Sequence, residues 1–278
     1  MKSTKDFIFS ELTGFYERSE IDSFIRLVFE TLFGYSRKEM ILFADRRLSS
    51  GEREKISGIV ERLKKYEPIQ YILGTTEFYG LKFHVEPGVL IPRFETEELV
   101  DTIIKQNKNK KVKLLDLGCG SGCIAIALKK FIQESDVWCC DISDTALKIT
   151  RENAMLNEAE IHIVKYDILS RDLFPETGFD IVVSNPPYVT IKERSVMQKN
   201  VLDYEPEVAL FVPDEDPLLF YREIVNKTKG IMADSGQLFF EINESYGDEV
   251  SALIEKYGFH ATIIKDINGR DRFVTGTL

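Results

Sequence analysis

The residues best suited to chemistry in this 278-residue chain stand at the ends of apolar runs. One such stretch is Ser184-Asn185-Pro186-Pro187-Tyr188, directly after Phe179-Asp180-Ile181-Val182-Val183. A β-branched apolar run of that length reads as a buried strand, and the prolines end it because proline offers no N–H to a ladder. Each proline fixes its own φ and restricts the residue before it. Asn185 and Pro186 are both followed by proline, so the Asn185 amide and the Pro186 carbonyl project rigidly from the strand's carboxyl end. In open α/β sheets that end is where ligands bind. Two rigid acceptors beside an aromatic ring suit a flat, neutral NH2 group, either an amide or an exocyclic amine. Alone, the tetrapeptide reads more simply as a proline-rich turn.

A second stretch, Leu114-Leu115-Asp116-Leu117-Gly118-Cys119-Gly120-Ser121-Gly122, reads as a strand entering a glycine-rich turn and then a helix. Glycines there let the backbone approach a ligand closely and adopt unusual φ. No Gly-Lys-Ser/Thr follows, which excludes a phosphate loop, and Cys123 stands where the dinucleotide fingerprint needs a glycine. Glycines two apart, at 118, 120 and 122, suit an adenosyl ligand carrying an amino-acid tail. Asp141 ends the next apolar run, about 20 residues on, where a carboxylate accepts from both ribose hydroxyls. Asp167 ends a third run, near an adenine edge, with Ile168 as an apolar cover. A strand-end aspartate by itself reads more simply as an N-cap. Three strand ends in order, followed by Asn-Pro-Pro-Tyr on the fourth, point to a nucleoside cofactor held beside an NH2 group.

The elements that must position these residues follow from the hydrophobic pattern. From 111 onward, strand candidates at 112–115, 137–140, 161–164, 181–183 and 238–242 alternate with amphipathic helices at 122–132, 144–156 and 218–228. Such alternation builds a parallel sheet covered on both faces. Near the end, runs at 261–265 and 272–275 flank Asn268-Gly269, a hairpin signal, so the sheet is expected to finish with an antiparallel pair. Residues 1–75 read as a small helical bundle. Phe7, Phe9, Leu12, Phe15 and Tyr16 form one stripe, and Ile21, Phe24, Ile25, Leu27, Val28 and Leu32 another. Gly34 stops the second helix, Ser36 caps a short helix through Met40, Ile41 and Leu42, and Ser49 or Ser50 starts the next. Residues 76–91 carry hairpin chemistry around Gly80 and Glu86-Pro87-Gly88 and link the bundle to a domain at 92–278. Thr96 is expected as the N-cap of the helix that follows. His84, with no metal-ligand partner at useful spacing, reads as a strand-surface or satisfied core residue.

Composition narrows the classes. A net charge of −10 argues against a broad phosphate-binding surface, and no stretch approaches the ~20 apolar residues that span a bilayer. The start of the chain lacks the apolar segment of a signal peptide. Cys119, Cys123, Cys139 and Cys140 lack zinc-clip spacing and read as reduced, buried thiols of a cytosolic protein.

At these residues the chain resembles a class I S-adenosylmethionine-dependent methyltransferase, and more narrowly the release-factor glutamine methyltransferases (the HemK/PrmC family). The narrower marks are Pro68-Ile69-Gln70-Tyr71-Ile72-Leu73-Gly74, Glu77-Phe78-Tyr79-Gly80, the stretch 91–97 and Tyr204-Glu205-Pro206. The chain departs from the family at Phe94, where a second proline is usual, and at Phe211-Val212-Pro213-Asp214, where glycines are usual. The resemblance implies a Rossmann-like, mostly parallel seven-stranded sheet with an antiparallel terminal hairpin and a small N-terminal helical domain that recognises the substrate. It implies S-adenosylmethionine held by Gly118, Cys119, Gly120, Ser121, Gly122, Asp141, Asp167, Ile168 and Asn185, with no metal. Asn185, Pro186, Pro187 and Tyr188 would hold the substrate, and Asn185, Pro186 and Tyr188 would carry catalysis. The implied reaction is N5-methylation of the glutamine in the Gly-Gly-Gln motif of peptide chain release factors, by a cytoplasmic monomer that binds neither nucleic acid nor membrane. Asn-Pro-Pro-Tyr is shared with enzymes that methylate exocyclic amines of DNA and RNA, so that substrate, or a glutamine of a ribosomal protein, stays open.

Overall fold

The computed structural model describes residues 2–43 and 45–278, which divide into two compact units. The first comprises Met1–Gly74 and Gln198–Tyr204. Its helices are α1 (Lys2–Leu12), α2 (Arg18–Phe33), α3 (Arg37–Leu42), α4 (Ser50–Leu63) and α5 (Ile69–Leu73). Gly34 ends α2 at a φ of 67°, a left-handed conformation that glycine adopts without strain. Ser36 and Ser49 each form a capping box, with Glu39 and Glu52 respectively. α1 buries Thr4, Ile8 and Leu12, one face repeating every fourth residue, which leaves Phe7 exposed; Phe15, Ile41 and Leu42 are exposed as well. Phe7 and Phe15 therefore lie outside the buried stripe expected of them. The Tyr204 hydroxyl donates to the Lys65 carbonyl at 2.9 Å, and the Lys199 ammonium lies over the Tyr66 ring. Residues 198–204 thus belong with the helices, whereas the sequence reading ran 92–278 unbroken.

The second unit comprises Thr75–Met197 and Glu205–Leu278. It opens with the hairpin β1 (Thr75–Phe78) and β2 (Leu81–His84), turned by Tyr79 and Gly80, both at positive φ. That pairing matches the strand twist. Then come α6 (Phe94–Asn107), β3 (Val112–Leu117), α7 (Cys123–Phe131), β4 (Ser135–Asp141), α8 (Asp144–Leu156), β5 (His162–Lys165), β6 (Phe179–Ser184) and β7 (Val189–Thr190). After α9 (Lys199–Leu202), which belongs to the first unit, follow β8 (Phe211–Val212), α10 (Leu219–Thr228), β9 (Met232–Glu241), α11 (Gly247–Glu255), β10 (His260–Lys265) and β11 (Asp271–Thr277).

Seven of these strands form one sheet in the order β10-β11-β9-β6-β3-β4-β5. β9, β6, β3, β4 and β5 run parallel, and β11 enters antiparallel between β9 and β10. The expected antiparallel hairpin is present, closed by Asp266, whose Oδ1 accepts from the Asn268 and Arg270 N–H groups. Only β11 opposes the sheet. Along β3, β6 and β9 side chains alternate between two cores: Leu114, Ile181 and Phe239 pack on one face, Leu115, Val182 and Leu238 on the other. β3 is flanked by β6 and β4, so the chain order reverses at β3 and opens a crevice at the carboxyl edge. No described helix is long and apolar enough to cross a membrane.

Candidate active site

At that edge the glycine turn leaves β3 with Gly118, Gly120 and Gly122 at φ of 78°, 55° and 79°. The three positive values are open to glycine and strained for other residues, which gives the spacing its physical cause. The Gly118 and Cys119 N–H groups both donate to the Cys140 carbonyl at 2.9 Å, tying the turn to the end of β4. α8 braces it from outside. Thr150 Oγ1 donates to the Gly120 carbonyl at 3.0 Å, and Asn153 Nδ2 donates to the Ser121 carbonyl at 2.9 Å. A Cβ on Gly122 would stand 2.8 Å from Thr150 Cγ2.

Asp141 ends β4 beside this turn. Its Oδ2 accepts from the Gly120 N–H and its Oδ1 from the Ser143 N–H, both at 2.9 Å. The N-cap of α8 is Ser143, so Asp141 is not spent on capping. Burial raises its pKa, and the backbone donors oppose that rise. Ile168 is buried, and its Cδ1 lies 3.9 Å from where a Cβ on Gly118 would be. Asp167 Oδ1 accepts from the Leu169 N–H at 2.8 Å and steadies its own turn.

Asn185 follows β6, which is pinned to β3 by the Ser184 hydroxyl donating to the Leu117 carbonyl at 2.6 Å. Asn185, Pro187 and Tyr188 are half-buried and Pro186 is buried. Asn185 Nδ2 faces Thr96 Oγ1 at 3.4 Å. Thr96 Oγ1 donates to Glu241 Oε2 at 2.6 Å, and the Tyr188 hydroxyl donates to Glu241 Oε1 at 3.1 Å. Asn243 Nδ2 holds the Tyr188 carbonyl at 3.3 Å and also reaches Glu193. Glu205 Oε2 accepts from the Ile91 N–H at 3.2 Å and Oε1 from Arg93 at 2.6 Å, anchoring the segment that leads into α6.

Thr96 does not cap α6, as its position suggested. The helix starts two residues earlier, with Arg93 at the cap position and no side-chain bond there, and Thr96 is buried in the first turn. Its hydroxyl is drawn to a carboxylate across the sheet, a stronger acceptor than a backbone carbonyl.

Burial raises the pKa of Glu241, against the opposing hydrogen bonds of Thr96 and Tyr188 and the charge of Arg272; burial likewise raises that of Tyr188. Asp116, in β3 under the glycine turn, is pushed up to about 7 by burial. Its Oδ2 accepts from the Ala125 N–H at 3.2 Å, while its Oδ1 is the buried side-chain polar atom without a partner among the described residues. Sequence reasoning missed Asp116, Thr96 and Glu241. The signal for two of them was an acid within an apolar strand run, which is rarely buried without a purpose. The four cysteines are buried and free, with burial raising the Cys123 thiol to about 12. Among the described residues no cluster could hold a metal.

Residues 94–203 match the Methyltransferase small domain family and residues 9–74 the PrmC N-terminal domain family. The chain is similar to a release factor glutamine methyltransferase from Flavobacterium psychrophilum, 45% identical over 95% of this chain and 94% of that one. It is similar to another from Bacteroides thetaiotaomicron, 44% identical over 97% of each. Among solved structures, the T. thermophilus 16S rRNA N2 G1207 methyltransferase in complex with AdoMet and guanosine shares the fold: TM-score 0.51, 17% identity, 73% of this chain and 49% of that one.

Proposed function

The chain belongs to the release factor glutamine methyltransferases, and on that premise we propose that it methylates the side-chain amide nitrogen (N5) of the glutamine in the Gly-Gly-Gln motif of peptide chain release factors. The observation that carries the chemistry is one sheet edge bearing both the glycine turn of β3 and the Asn185–Pro186 acceptor pair after β6.

The residues fit S-adenosylmethionine. Gly120 is open, with nothing within 4 Å of a Cβ placed on it, so a ligand can lie against the backbone there. The unpartnered, buried Asp116 oxygen beneath the turn suits a ligand carrying positive charge. Gly118, Cys119, Gly120, Ser121 and Gly122 would hold the methionine part, Asp141 the ribose hydroxyls, and Asp167 and Ile168 the adenine. When bound, the cofactor supplies a methyl group on a sulfonium, already a strong electrophile.

The chain's own task is then to place a poor nucleophile, since the amide lone pair is delocalised into the carbonyl. Asn185 Oδ1 and the Pro186 carbonyl accept one hydrogen each from the substrate NH2 and fix its nitrogen. The same two acceptors stabilise positive charge as it develops on that nitrogen. Tyr188 packs on the flat amide and excludes water. No side-chain base is assigned, because an N-alkylated amide cation loses its proton to water readily. A release-factor substrate suits an enzyme of the cytoplasm, and a monomer is proposed with it.

The test is transfer of labelled methyl from S-adenosylmethionine with purified release factor, ribosomes and nucleic acid as separate acceptors, followed by mass spectrometry. A gain of one CH2 on the Gly-Gly-Gln glutamine is the expected result. Label in ribosomal protein or nucleic acid alone would overturn the substrate.

A further inference from the structure

We infer that Thr96 and Glu241 are positioning residues that lock the Asn185 amide with its oxygen toward the substrate, an inference that rests on the acceptor role proposed for Asn185. A threonine hydroxyl has one hydrogen. Here it is directed at Glu241 Oε2, 2.6 Å away, so toward Asn185 the Thr96 oxygen presents lone pairs only. The NH2 end of Asn185 can face that oxygen; the carbonyl end cannot, because two acceptors would meet with no hydrogen between them. Oδ1 is thereby turned away from Thr96 and left to accept from a bound amide.

Glu241 suits the anchor position because in its ionised form, which the Thr96 and Tyr188 hydroxyls and the Arg272 charge favour, it only accepts. Its second oxygen takes the Tyr188 hydroxyl, so one side chain fixes both ends of Asn-Pro-Pro-Tyr. Thr96 and Glu241 are 2% and 1% exposed, which keeps water from competing for these bonds. Glu241 is held in turn where its carbonyl accepts from the Tyr221 hydroxyl at 3.2 Å.

The experiment is a double-mutant cycle between Thr96→Val and Asn185→Ala, read as single-turnover methyl transfer to release factor, with S-adenosylmethionine affinity measured beside it. Thr96→Val is expected to slow transfer on the order of tenfold, the worth of one oriented hydrogen bond, with cofactor affinity unchanged. Thr96→Ser, which keeps the hydroxyl, is expected to restore the rate. In the Asn185→Ala background the Thr96 substitution should have no further effect. Full activity of Thr96→Val beside a slow Asn185→Ala would overturn the lock and leave the acceptor role standing. Losses that multiply in the double variant would also overturn it, making Thr96 an independent structural residue. Full activity of Asn185→Ala would instead remove the acceptor role itself and the lock with it. Thr96→Ala runs the same cycle, with the same outcomes, where the valine variant does not fold.

Discussion

Asn185 contributes one atom to the proposed reaction, and its value lies in that atom being oriented before the substrate arrives. Asn185→Ala removes an acceptor from a nitrogen that gains positive charge, so kcat at saturating S-adenosylmethionine is expected to fall by about 100-fold or more. Turnover within a few-fold of wild type would remove Asn185 from the mechanism. Asp116 supports a different expectation, because its carboxyl titrates near 7 in the fold. An unfolded aspartate titrates near 3.9. Between those values the folded chain holds a proton that the unfolded chain has released, so this group's contribution to stability declines as pH rises from about 4 to about 7. Asp116→Asn cannot ionise, and its carbonyl can still accept from the Ala125 N–H. Relative to wild type, the asparagine variant should therefore gain urea stability between pH 4.5 and pH 8 in the absence of cofactor. The gain scales at roughly 1.4 kcal/mol per unit of pKa difference between the two states. Parallel pH trends for the two proteins would show that Asp116 does not titrate in this range.

Between single residues and the sheet stand the elements that hold the glycine turn in shape. Asn153, fully buried on α8, donates to the carbonyls of His84 and Ser121 and accepts from the His84 N–H at 2.6 Å, joining the β1–β2 hairpin to the turn. Asn153→Ala unmakes three buried hydrogen bonds and should cost about 3 kcal/mol in urea unfolding. It should also weaken cofactor binding, because Ser121 loses its brace; an unchanged dissociation constant would show that the turn keeps its shape without α8. Gly122→Ala attacks the same contact from the other side. A φ of 79° and an approach of 2.8 Å to Thr150 Cγ2 give strain of about 1–3 kcal/mol, visible as a lowered midpoint. This is also the scale at which the sequence was most readable. Helices, strands, the Gly34 stop and the capping serines are written in residues a few positions apart, as are the strand ends carrying Gly118, Asp141, Asp167 and Asn185. Thr96 meets Glu241 across 145 residues and Glu205 meets Arg93 across 112. Such pairs exist only once the sheet order brings their elements together, and no local period announces them. The same reason hides the insertion of β11 between β9 and β10, because a hairpin signal fixes a partner and not the neighbour on the other side.

For the molecule as a whole the deciding quantity is charge. The chain carries 36 basic and 46 acidic residues, a net of −10, while the Asn-Pro-Pro-Tyr chemistry by itself accepts an exocyclic base amine as readily as a glutamine amide. A base-methylating enzyme must hold a polyanion while a base is flipped out, and that affinity comes from lysines and arginines that displace counterions from phosphates. Here the arginines around the site are committed: Arg93 to Glu205, and Arg272 to Asp266, whose carboxyl accepts at 3.4 Å. Methylation of release factor should therefore proceed at the same rate when duplex DNA or bulk RNA is added at low salt, where any phosphate-binding surface would bind most tightly. Inhibition that vanishes as salt is raised would reveal a basic surface masked by the acidic total. It would return the exocyclic-amine reading to contention, and the labelled-methyl assay on nucleic acid would then decide between competition and catalysis.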